Sequence, residues 1–250
     1  MAQSTRVTME EDQVPFISEK NHQESIVDDF MYGNNVASAH IYIRMGFLRK
    51  VYGLLSCQLL CTVVVAGIMV GSEVVRTAVQ ESPIFLGIAM FSSIGLIFAL
   101  MLKAHEHPLN MYLLAAFTLA ESYMVGVVSS LYETHSVIQA FLLTFVVTMA
   151  LTAYTLQSKR DFSSMGGVLY IGLWILIGAG FVSLFFHNSV NEMAIAIGGA
   201  ILFSLFIIFD THMIMKRLSP EEYILATVNL YLDIINLFLH ILRALGDRRN

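Results

Sequence analysis

Three acids, Glu121, Asp210 and Asp233, fall inside long apolar runs that contain no lysine or arginine well within them. An ionised carboxylate in hydrocarbon costs about 2.5 to 3.5 kcal/mol on insertion scales. Acids so placed must be protonated, share a proton, or hold a cation, and each state makes the site respond to pH or to metal ions. Asp233 belongs to a stripe in "NLYLDIINLFLHIL" (229–242): Asn229, Asp233, Asn236 and His240 are spaced 4, 3 and 4, so they share one helical face. Asp210, in "IIFDTHMIM", stands toward one end of the preceding run. If the two aspartates meet, they cannot both ionise cheaply, and their titration belongs to the pair. Helical rise alone puts them at different depths, roughly 8 Å and roughly 15 Å from the neighbouring ends of their spans. Meeting therefore requires tilt or shifted boundaries. Glu121 sits mid-run beside Thr118 and Ser122 and is a candidate cation-path residue or proton carrier. Thr144, Thr148 and Thr152 repeat every four residues, and their hydroxyls are expected to bond their own backbone.

The elements that must position these acids follow from composition. The chain has 250 residues, 56% hydrophobic and 13% charged, with a mean hydropathy of +0.69. Soluble domains run near 25% charged, so this chain belongs in lipid. A span needs about 20 largely apolar residues, and seven stretches qualify: 51–72, 84–102, 109–131, 136–157, 165–186, 194–214 and 223–242. Backbone polar groups in lipid must be satisfied within each segment, which leaves an all-α integral membrane protein. The expected architecture is a seven-helix bundle with the last helix central, since its polar stripe cannot face lipid, or six spans plus a re-entrant C-terminal segment. Residues 44–245 form the expected membrane domain, and 246–250 a short tail. Residues 1–43 hold seven acids against two bases, which equals the chain's whole net charge of −5. That segment is expected to be a largely disordered cytosolic tail.

Arg44, Arg49, Lys50, Lys103, Lys159, Arg160, Lys216 and Arg217 fall on the N-terminal side of the spans, against Arg76 alone in the opposite loops. Basic residues mark the cytosolic side, so the N-terminus is expected there. Arg243, Arg248 and Arg249 break the rule if the last segment crosses, and the side of the C-terminus stays open. Cys57 and Cys61, one helical turn apart, are expected to be packing residues, because parallel side chains at that spacing fit a disulfide poorly. The "HEH" at 105–107 reads as a surface turn. Gly67-x-x-x-Gly71 and Gly198-Gly199 are candidate points of close helix approach. No HExxH, P-loop, GxGxxG or nucleophile elbow occurs, so no enzyme activity, cofactor or nucleic-acid partner is expected. The last span has no lysine for a retinal Schiff base.

Four stretches carry a resemblance: "DDFMYGNNVASAHIYIRMGFLRKVYGLLSCQLL" (28–60), "HPLNMYLLAAFTLAE" (107–121), "LTAYTLQSKRDFS" (151–163) and "IIFDTHMIMKRLSPEEYILATVNLYLDIINLFLHILR" (207–243). Together they closely resemble the Lifeguard branch of the transmembrane Bax inhibitor motif family, over about residues 26 to 245. The resemblance implies residence in Golgi and endoplasmic reticulum membranes, inhibition of apoptosis, and a calcium leak that lowers the stored ion. It also implies regulation of the inositol trisphosphate receptor, with other membrane apoptotic regulators as further partners and a homo-oligomer left open. Carried over by motif, Asp210 and Asp233 look like the family's di-aspartyl pH sensor, whose shared proton latches a closed state. Glu221 and Asp233 resemble acids of the ion path, and Glu192 a luminal-side acid. Bacterial relatives place a membrane arginine near the aspartates, and this chain shows no counterpart. On the residues themselves, core carboxylates suit a hard cation such as Ca²⁺, and so few of them bind it weakly enough to release it. No fixed metal is expected; calcium would pass transiently at Asp210 and Asp233. The rival expectation is a non-conducting membrane protein that acts by binding apoptotic regulators or calcium-release receptors.

Overall fold

The computed structural model describes residues 41–183, 185 and 189–246; the tail up to residue 40 and residues 247–250 lie outside them. In chain order, α1 (Ile41–Gly71) is followed by a short α2 (Glu73–Gln80), then α3 (Pro83–Lys103), α4 (Leu109–Ser130) and α5 (Thr134–Gln157). A 3₁₀ turn (Ser163–Met165) leads into α6 (Gly166–Ser183), α7 (Ser189–Lys216) and α8 (Tyr223–Leu245). Seven helices are long and apolar enough to cross a bilayer, and no β-strand occurs among the described residues. The chain is an all-α multi-span membrane protein.

Local chemistry sets the helix ends. Pro83 opens α3 at a position where its missing N–H costs nothing. Before α8, the Ser219 N–H donates to Glu222 Oε2 (2.8 Å) and the Glu221 N–H to Ser219 Oγ (3.4 Å), a tight turn that reverses the chain out of α7. Asn110 Nδ2 donates to the Ala104 carbonyl (2.8 Å) and ties the α3–α4 turn together. α1 begins ten residues before the expected span, so residues 41–43 belong to a helix rather than to the tail. The boundary was drawn at Arg44, Arg49 and Lys50, but long basic side chains reach outward while their helix stays packed. Phe47 and Val51, on the other face of the same turns, are almost fully buried. α2 is a helix where only a loop was expected; its Gln80 Nε2 donates to the Ser130 carbonyl (3.0 Å), pinning it to the end of α4.

Helix α8 is the axis of the bundle. In its most apolar window 61% of the residues are buried, against 6–44% in the other spans. It packs against α7, α5, α1, α4 and α3, and Leu230, Tyr231, Leu237 and Leu242 lie at its centre. It is unbroken, and it starts beside α7's end and finishes with Gly246 pressed against the Tyr132 ring in the α4–α5 turn. That turn lies at the other end of the bundle from the α7–α8 turn, so α8 runs unbroken along the length of the bundle and is long and apolar enough to cross a bilayer. α6 is the opposite case: it rests on α7 and the 3₁₀ turn, and Leu169 is its one fully buried side chain.

Of the candidate points of close helix approach, Gly199 is one, against His240 of α8, whereas the Gly67–Gly71 pair is not. Gly67 and Gly71 have open space beside them and border an apolar groove of about 670 Å³ between α1 and α5. The intimate contact is at Gly126, where a side chain would meet the Met69 thioether and the Ala66 backbone. Cys57 is exposed and Cys61 half-buried, so only the latter fits the packing expected for the two, and no disulfide joins them. Thr144 bonds the Ala140 carbonyl (2.7 Å) as expected, whereas the buried Thr148 hydroxyl has no partner. Polar bonds knit α1, α4 and α8 together: Gln58 Nε2 donates to Thr118 Oγ1 (2.9 Å), and Thr62 Oγ1 bonds Tyr231 Oη (2.8 Å) and Ser122 Oγ (3.0 Å). Interhelical hydrogen bonds inside membranes contribute about 0.6 kcal/mol on average. Thr62→Val, which removes two of them, should therefore cost about 1 kcal/mol, while Gly126→Val, which forces α1 from α4, should cost about 1–3 kcal/mol. Thermal unfolding in detergent checks both; a Thr62→Val midpoint as low as that of Gly126→Val would show that the hydrogen bonds carry more than the packing.

Candidate functional site

The stripe read from the sequence lies along a cavity. Asn229, Asp233, Asn236 and His240 on α8 face Asp210 on α7 across about 640 Å³, with Leu173, Leu176 and Ile177 of α6 forming the outer wall. The cavity exists because α6 leans on α7 and does not close onto α8.

Asp210 and Asp233 face each other at the cavity, near enough for their carboxyl groups to interact. A hydrogen bond between them would need a proton on one, because an ionised carboxylate only accepts. The depth mismatch closes in three dimensions. Asp210 lies six residues before the end of α7 and Asp233 ten after the start of α8, about 9 Å and about 15 Å of helix, so the two helices are offset by about one turn where they pass. Asp233 is 6% exposed, and its Oδ2 has no hydrogen-bond partner. Asn236 donates through Nδ2 to the Leu232 carbonyl (2.8 Å), which turns its Oδ1 free for the cavity. His240 stacks on Phe203 of α7 (ring centroids 5.6 Å apart), and Gly199 provides the space for its imidazole. The result is a column of oxygen acceptors set against an aromatic wall.

The other candidate acids lie elsewhere. Glu121 points from α4 toward α3, where the Ser93 hydroxyl donates to its Oε1, and it does not line the aspartate cavity. Glu221 is exposed in the α7–α8 turn, next to the capping bonds. Glu192 is in the first turn of α7, 18 residues or about 27 Å of helix from Asp210. Among the described residues no three His, Cys, Asp or Glu side chains are grouped as a metal cage.

Two features were not foreseen. Arg243 also lines the cavity. It continues the stripe by a further step of three, a signal present in the sequence but set aside because the residue was counted with the C-terminal charges. The second feature is a clasp at the Asp210 end. Asp161, in the connection between α5 and α6, accepts from the Ser163 N–H (2.9 Å) and pairs with Arg217 Nη2 (3.1 Å). Its Oδ1 lies 3.5 Å from Nε2 of His212, which is 2% exposed and two residues beyond Asp210. The clasp ties the α5–α6 connection to the end of α7. The Ser163 N–H and hydroxyl, then the Arg217 guanidinium, hold the Asp161 carboxyl down to about 2 from its ordinary 3.8. A carboxyl depressed in the folded state contributes stability above its unfolded value and loses it as pH falls through the folded value. The Asp161 contribution is thus constant from pH 8 to pH 5 and fades toward pH 2. Asp161→Asn should lower the thermal midpoint equally at pH 5 and pH 8; a loss confined to one of them would assign the titration to another group.

The comparisons agree with this architecture. The family model described as "Inhibitor of apoptosis-promoting Bax1" matches residues 44–250. Protein lifeguard 4 of Mus musculus is 54% identical over 223 residues, 89% of this chain and 94% of the relative. The Golgi anti-apoptotic protein of vaccinia virus (strain Lister) is 53% identical over 221 residues, 88% and 93% of the two chains. Bax inhibitor 1 of Schizosaccharomyces pombe is 39% identical over 240 residues, 94% and 90%. With a match of that extent, seven spans and the last helix at the centre, the chain belongs to the Bax inhibitor family, within reach of its Lifeguard members.

Proposed function

We propose that this protein is a calcium-permeable leak of Golgi and endoplasmic reticulum membranes, gated by the proton shared between Asp210 and Asp233, and that by lowering stored calcium it restrains apoptosis. The observation that carries the reading is the facing carboxyl pair at one end of a polar column in an otherwise apolar bundle. Carboxyl and amide oxygens are the ligands a hard cation takes. Two acids, with no third grouped beside them among the described residues, hold it loosely, and release is a condition of conduction. A pair that shares one proton is held together; without that proton the like charges repel and a cation can take its place. The names of the relatives support the cellular part, since one carries "Golgi anti-apoptotic" and another "Bax inhibitor". Lys103, Arg160, Lys216 and Arg217 stand at the helix ends that share a side with the start of α1, which favours a cytosolic N-terminus.

The test is Ca²⁺ flux into proteoliposomes of the purified chain across pH 6 to 8. The wild type is expected to conduct with a marked pH dependence. Asp233→Asn and Asp210→Asn keep a hydrogen-bonding pair while removing its shared proton, so each is expected to flatten that dependence. Absence of wild-type flux at every pH, in folded protein, would overturn the leak and favour a protein that acts by binding apoptotic regulators or calcium-release receptors.

A further inference from the structure

The polar column has charges of opposite sign at its two ends. At one end is the Asp210–Asp233 pair; at the other is Arg243, ten residues or about 15 Å farther along α8, past Asn236 and His240. The α8 spacing from Asn229 through Asp233, Asn236 and His240 to Arg243 is 4, 3, 4 and 3, so all five side chains share one face. Arg243 is exposed while the residues behind it are half-buried or buried, which places its guanidinium at the mouth. His240 is held against Phe203 and cannot swing out to shield it. Among the described residues no other lysine or arginine lines the cavity.

We propose that Arg243 is the specificity-determining residue of this pathway: a fixed positive charge at the mouth opposite the aspartates that throttles cation entry and penalises a divalent ion more than a monovalent one. The inference rests on the leak reading above. The physical reason is that the electrostatic penalty scales with the charge of the ion, whereas a mere plug would block both alike. A guanidinium at an exposed mouth is also open to screening, over about 10 Å at 0.1 M salt and about 30 Å at 0.01 M.

The experiment measures Ca²⁺ and K⁺ flux separately in proteoliposomes of the full chain, for wild type, Arg243→Gln and Arg243→Lys. Arg76→Gln, at the same end of the bundle but away from the cavity, controls for surface charge. Removing the charge is expected to raise Ca²⁺ flux about fourfold and K⁺ flux about twofold near 0.01 M salt, with the Ca²⁺ gain shrinking below about twofold near 0.15 M. Arg243→Lys and Arg76→Gln are expected to match the wild type, and Arg243→Glu to exceed Arg243→Gln. If Arg243→Gln does not fold, Arg243→Ala takes its place. Equal gains for the two ions, a gain insensitive to salt, no gain at all, or the same gain in Arg243→Lys or Arg76→Gln would overturn the proposal while the leak reading stands. Absence of flux in the wild type would instead overturn the leak and the proposal with it.

Discussion

Everything in this bundle depends on the burial of one helix that carries polar groups. Hydrocarbon offers no hydrogen bonds, so each polar side chain on α8 must find a partner inside the protein or face a space that can hold one. That demand surrounds α8 with five other spans and makes it the helix the others close upon. A helix of the same hydropathy without Tyr231, Asp233, Asn236 and His240 would have no reason to leave the lipid.

The two sides of α8 meet the demand differently. Toward α1 and α4 the answer is direct satisfaction: Tyr231, Thr62 and Ser122 bond one another, Gln58 bonds Thr118, and Gly126 lets the backbones come close. Toward α6 the answer is a cavity. There Asp233 keeps an oxygen without a partner, and the neighbour it faces across the cavity is Asp210. One face is sealed by small residues and hydroxyls, the other left open by a peripheral helix. α6 is the span with the least buried surface, so moving it would break fewer packed contacts than moving α1 or α4.

Much of this was legible in the sequence, and the reason is that lipid removes alternatives. With strands and loops excluded, hydropathy alone set the seven spans, and an acid-bearing stripe with a 4-3-4 rhythm could only be an inward face. The Asp210–Asp233 meeting was legible as a chemical need but not as a geometry, since helix offset does not appear in residue spacing. The start of α1 was misplaced because Arg44, Arg49 and Lys50 depress hydropathy without ending a helix. α2 was missed because eight residues with a Glu73–Arg76 pair look like a loop by composition. The Gly67–Gly71 pair pointed to contact and found a groove, because a small-residue motif names a face but not what covers it. Glu121 bonds Ser93 of α3 and does not line the aspartate cavity, because nothing in one helix says which of two neighbouring clusters its acid will join.

The clasp at the Asp210 end shows why the cavity and the connection between α5 and α6 belong to one problem. α6 has little to hold it: its apolar face meets α7, and lipid is as good a solvent for its leucines as protein is. What fixes its start is polar and lies at the end of the spans, in the Asp161 contacts to Ser163, Arg217 and His212. Those contacts are anchored on the same turns of α7 that carry Asp210. Under the proposed gating, a change in the charge of the aspartates would act on α7 close to the point where α6 is tethered, while the Asp161 carboxyl, held down to about 2, stays ionised over the whole physiological range. The carboxyl pair lies in the cavity and the tether in the connection, and two residues of helix, from Asp210 to His212, separate them.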